Sequence, residues 1–108
     1  MKPWSPGALP RASCPHRRLR RLLARELPEA LPLGPSTLRP WASANFVGAR
    51  HLFSCAFPTD DAAFLRAALT ARLEETEWRL PGHVVADAVV RVASGAGALR
   101  IEILTIED

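Results

Sequence analysis

Three histidines, two cysteines and a few carboxylates are the side chains of this 108-residue chain that could act as bases, nucleophiles or metal ligands. His51 and Cys55 share one face of an extended run, yet four strand residues span about 13 Å, too far for a base to reach a thiol. Cys55 also alternates with Phe53 and Phe57, the pattern of a small buried hydrophobe. His83 and Asp87 stand at the same four-residue spacing, so they can act only with a group from another strand. If two hairpins share a sheet, His51 or Arg50 approaches His83 and Asp87. Two imidazoles, a guanidinium and a carboxylate would then be available for acid–base work or for holding a metal. His51, His83 and Asp87 are therefore the candidates for catalysis or ligand binding, set against the commoner reading of exposed polar residues beside turns.

The remaining motifs read more simply. Asp60 and Asp61 follow Thr59 at a helix start, where capping and the helix dipole account for both carboxylates. Gly95 and Gly97 precede a strand instead of opening a helix, so they form a hairpin turn and not a phosphate cradle. Cys14 and Cys55 sit in dissimilar surroundings, which argues against a disulfide. Cys14 and His16 give two ligands where a closed zinc site needs four, and no metal or cofactor is expected. Arg17, Arg18, Arg20, Arg21 and Arg25 crowd two to three turns of a helix, with Arg11 just before it. They could grip phosphate backbones, although no aromatic stacking platform accompanies them.

These residues need elements to hold them. Leu19, Leu22, Leu23 and Leu27 have the one-sided spacing of a helix over residues 16–27, ended by Pro28 and Pro32. Residues 33–38, with Gly34 and Pro35, read as a connector. Residues 41–46 and 49–57 read as strands folded around Val47 and Gly48, with Gly48 supplying the permissive backbone. Trp41 is expected in the core. A second helix follows from Thr59 to about Glu77, burying Phe64, Leu65, Ala68, Leu69 and Leu73. Leu80, Pro81 and Gly82 suit a turn, and residues 83–93 and 98–106 form a second hairpin.

In the third strand Val84, Ala86, Ala88, Val90 and Val92 are expected to face the core, and His83, Val85, Asp87, Val89 and Arg91 to face away. Leu99, Ile101 and Ile103 point inward from the last strand, while Leu104 and Ile106 fall on the opposite phase. Either a bulge near Leu104 or a partner covering Val85, Val89, Leu104 and Ile106 would account for them. The expected architecture is α+β in two layers, α-β-β-α-β-β, with a four-stranded, mostly antiparallel sheet and two helices on one face. Residues 1–15 read as a flexible Pro-rich extension and residues 16–108 as a single domain.

Hydrophobic residues at 48% and charged residues at 23% are the proportions of a folding chain and exclude a collagen-like rod or wholesale disorder. Charge is unevenly placed: residues 1–54 carry nine basic and two acidic side chains, residues 55–108 five and nine. No apolar stretch approaches the ~20 residues that cross a bilayer, and prolines and arginines interrupt any secretory core near the start. The expected location is cytoplasmic, without a membrane.

Two stretches, RPWASANFVGARH at 39–51 and LPGHVVAD at 80–87, together with the IEILT ending, resemble a group of short alphaproteobacterial proteins. The resemblance implies a stand-alone bacterial cytoplasmic domain and carries over no activity, cofactor or catalytic residue. The leading expectation is a small non-catalytic domain acting through protein association, as a homodimer or with another protein. Nucleic-acid contact through the basic helix is the alternative. A small enzyme or ligand binder built on His51, His83 and Asp87 comes third.

Overall fold

The computed structural model describes residues 14–28, 31–56, 62–92 and 98–108. The elements run α1 (His16–Glu26), β1 (Leu33–Ala42), β2 (Val47–Ala56), α2 (Ala62–Glu75), β3 (His83–Val92) and β4 (Ala98–Glu107). Their order is the α-β-β-α-β-β expected of the α+β class. The four strands make one antiparallel sheet in the order β1-β2-β4-β3, which puts β2 and β4 at its centre.

Leucine spacing on α1 turns Leu19, Leu23 and the following Leu27 onto the sheet, and α2 adds Leu69 and Leu73. They meet Phe53 and Cys55 of β2, Val90 of β3, and Leu99, Ile101 and Ile103 of β4 in one buried cluster. Both helices therefore cover the same side of the sheet, and among the described residues no element covers the other, here called the open side. Phe64, expected in the stripe of α2, is instead 72% exposed, and Ala68 is exposed as well. Leu65, Leu69 and Leu73 fill the space beneath this helix without them. The helix start at Thr59, Asp60 and Asp61, the hairpin turn at residues 93–97 and the extension up to residue 13 lie outside the described residues.

The first hairpin differs from expectation in both length and turn. β1 begins at Leu33, so the segment containing Gly34 and Pro35 is strand. β1 is an edge strand, where prolines 35 and 40 need supply no N–H to a second neighbour, and a register irregularity between Leu33 and Ser36 absorbs the break. The turn falls at Ser43–Phe46: Ser43 N–H donates to the Phe46 carbonyl at 2.8 Å, and Phe46 N–H to Ser43 Oγ at 3.2 Å. Gly48 lies within β2 and not in the turn. Its hydrogen faces the backbone carbonyl of Thr105 on β4, where a Cβ would overlap that oxygen. Leu80 to His83 form the expected turn, with Gly82 at φ 78° and His83 N–H donating to the Leu80 carbonyl at 2.9 Å.

β4 alternates without a break, placing Leu99, Ile101, Ile103 and Thr105 under the helices and Leu104 and Ile106 on the open side. The expected bulge near Leu104 is absent from β4; a bulge sits instead in β3, between Val85 and Asp87 opposite Leu104, and it leaves Leu104 and Ile106 off the core. One extra residue shifts the phase of β3, so the expected inward set holds only from Ala88 onward. Val85 packs against the core, and Val84 is half-exposed on the open side. Among the described residues no helix is long and apolar enough to cross a membrane.

Candidate functional site

His51 is fully buried on the helix side of β2, and its two ring nitrogens both find partners. Its Nδ1 faces Nδ1 of His16, the first residue of α1, at 2.9 Å; its Nε2 faces Thr105 Oγ1 of β4, also at 2.9 Å. His16 Nε2 in turn lies 2.9 Å from Ser36 Oγ on β1. The imidazoles are nearly parallel, 17° apart with centroids 5.1 Å apart, and their facing nitrogens are far closer than their centres, so they meet edge to edge. Phe53 also lies parallel to His16, with ring centroids 5.2 Å apart. Four elements are thus joined through one line of polar side chains, Ser36, His16, His51 and Thr105.

Proton accounting fixes what this line can hold. The Ala49 carbonyl, 3.5 Å from Thr105 Oγ1, can only accept, and it orients the hydroxyl proton of Thr105 toward itself. Thr105 Oγ1 then accepts from His51 Nε2–H, His51 Nδ1 accepts from His16 Nδ1–H, and His16 Nε2 accepts from the Ser36 hydroxyl. One added proton fits, because a charged His16 donates from both nitrogens. A second would set N–H against N–H between the rings. Burial is the main force keeping both imidazoles neutral. It lowers the pKa of His51 to about 4, helped by positive charge on His16 and His83, and it lowers that of His16, helped by Arg20.

The other expected site residues separate. His83 opens β3 half-buried, and its Nδ1–H donates to the Pro81 carbonyl at 3.2 Å. Its charge reaches His51, but no hydrogen bond joins them. Asp87 is exposed, with its carboxylate accepting from Ala88 N–H at 3.0 Å. It lines a small depression with Arg50, Val89, Arg91, Glu102 and Leu104, on the open side away from the histidine line. The constellation of His51, His83 and Asp87 is therefore not assembled. Cys55 is buried, and burial pushes its thiol pKa up, as for an inert core thiol. Trp41 is half-buried opposite Gly48 on the open side, neither in the core nor beside His51. Among the described residues no cluster of three or more metal-ligating side chains exists.

His16 and Ser36 escaped the sequence reading for different reasons. His16 precedes Leu19 by three positions and Leu23 by seven, so helical spacing already placed it on the buried stripe. Ser36 lay in a segment read as a connector, with no alternation to give it a face.

Arg17, Arg18, Arg21 and Arg25 project from α1 into solvent, whereas Arg20 is half-buried and donates to the Leu33 carbonyl at 3.3 Å. The ion pairs among the described residues are Arg72–Glu26, Arg79–Glu77 and Arg91–Glu102, and none involves an α1 arginine. At the start of α1 an open cavity of about 750 Å³ is lined by His16, Arg17, Arg18 and Arg21 and by Leu38 and Leu80. Arg18 is fixed at its wall by a 2.6 Å hydrogen bond from Nε to the Arg79 carbonyl. Val89, Leu104 and Ile106 share the open side of the sheet and are partly exposed; Val85 does not join them. Compared with known protein families, curated proteins and solved structures, the chain matches none.

Proposed function

We propose that this domain binds nucleic acid along the solvent side of α1. The observation that carries the reading is that Arg17, Arg18, Arg21 and Arg25 are exposed without a carboxylate partner among the described residues, while Glu26 of the same helix is taken by Arg72. Arg17, Arg21 and Arg25 succeed one another at four-residue steps, a stripe about 12 Å long at 1.5 Å per residue. Neutralising phosphates along such a stripe releases counterions, so affinity falls with salt. Binding of a fluorescent single-stranded oligonucleotide is expected to weaken linearly on a plot of log K against log salt. Changing Arg17, Arg21 and Arg25 together to Gln should flatten that slope by about 2, at about 0.7 per lost contact. An unchanged slope removes α1 from the interface, and undetectable binding at low salt removes the function.

A second reading, self-association through the open sheet face, is favoured by its composition. Trp41, Ile106 and Val84 form an apolar row across the sheet at the level of Gly48, with Leu104 beside it. Arg39, Arg50 and Arg100 share this face with Asp87, so a two-fold mate can set guanidinium against carboxylate. Both sheet edges discourage strand pairing, through the prolines of β1 and the bulge of β3, leaving the face as the route to a second copy. Sedimentation equilibrium across micromolar concentrations is expected to show a dimer that Ile106→Glu dissociates. A wild-type monomer throughout that range overturns the reading.

A further inference from the structure

We propose that the cavity at the start of α1 receives the terminal phosphate of a nucleic-acid strand. This rests on the nucleic-acid reading of α1 and adds where the strand ends. Arg17, Arg18 and Arg21 bring three guanidiniums to one cavity of about 750 Å³, and none of its described lining residues is a carboxylate. Such a site answers to the charge and the number of free oxygens of its ligand. A phosphate monoester carries a charge near −1.5 to −2 and three free oxygens. A diester within the strand carries one charge and two free oxygens. The site therefore favours an end over a passing backbone.

The walls divide the work. Arg18 is held in place through its Nε, which leaves its terminal N–H groups free for the fork-like pairing that phosphate accepts. Both His16 nitrogens are committed to His51 and Ser36, so His16 is a wall and the phosphate falls to the arginines. Leu38, 39% exposed, gives an apolar surface for the terminal sugar or base, backed by the buried Leu80. From Arg21 in the cavity wall, Arg25 continues one helical turn further on, in position for the diester that follows.

The test compares the full chain with single-stranded oligonucleotides of one sequence ending in a 5′-phosphate, a 3′-phosphate or hydroxyls only, by fluorescence anisotropy at fixed salt. One phosphorylated form is expected to bind about tenfold more tightly than the hydroxyl form, as charge-assisted bidentate contacts are lost with the phosphate. Arg17→Gln should abolish that preference, whereas Arg25→Gln, outside the cavity, should weaken all forms alike. Circular dichroism of each variant verifies that it is folded. Equal binding of the three strands overturns the end site and leaves the α1 reading standing; binding of none overturns both. A phosphoserine peptide that displaces the phosphorylated strand as well as free strand does overturns the assignment to nucleic acid.

Discussion

Truncating His51 to Ala is expected to cost about 3–5 kcal/mol of stability, the range for removing a large buried side chain, and to lower the midpoint of urea unfolding sharply. The loss has two sources. A ring that is fully buried leaves a cavity among Phe53, Ile103 and the α1 side chains, and its removal also strips a partner from His16 Nδ1 and from Thr105 Oγ1. Each polar group left dry and unpaired costs about 1–3 kcal/mol. Because folded chains are typically stable by only about 5–15 kcal/mol, the variant should approach the edge of folding at room temperature. His51→Gln, whose terminal amide can keep the bond to Thr105 Oγ1, should cost less. A double variant with His16→Ala should lose less than the sum of the single losses, since both remove the same bond. A loss under about 1 kcal/mol for His51→Ala would show that the polar line contributes nothing to holding α1 on the sheet.

That line shows where sequence reasoning reached and where it stopped. Helices and strands were legible wherever apolar spacing was regular: the leucines of α1, and the alternation of Leu99, Ile101 and Ile103 in β4, placed those elements closely. Two of the misread places break a local rule for a tertiary reason. Gly34 and Pro35 look like a loop until β1 is known to be an edge strand, and Gly48 looks like a turn until the carbonyl of Thr105 is known to lie against it. The face of Val85 depended on a bulge, and one inserted residue exchanges every side chain beyond it. Which histidine would meet His51 depended on strand order and on where α1 crosses the sheet. Neither is written in local spacing. Once the leucines face inward, however, His16 has to follow them, and its partner must be a buried polar group.

Acid is expected to begin destabilising the protein at a pH above the range in which its carboxylates titrate. A histidine whose pKa is lower folded than unfolded binds fewer protons in the native state across the interval between the two values, so stability rises with pH there. For His51 the interval runs from about 4 to 6.5. Its contribution is complete above pH 6.5 and is withdrawn as pH falls toward 4, an effect of about 3 kcal/mol. His16, whose pKa is lowered as well, adds in the same direction. The two contributions are coupled through the shared hydrogen bond. The pair accommodates one proton by letting a charged His16 donate to His51 and Ser36, but a second opposes two N–H groups beside Arg20 and His83, whose charges already disfavour it. The urea midpoint should therefore fall steadily between pH 7 and pH 5 for the native sequence. It should fall far less for His51→Gln, in which the deepest of these imidazoles is gone. A wild-type midpoint that stays level over that range would mean that neither imidazole is withdrawn from water in the folded protein, and that α1 is not held to the sheet through them.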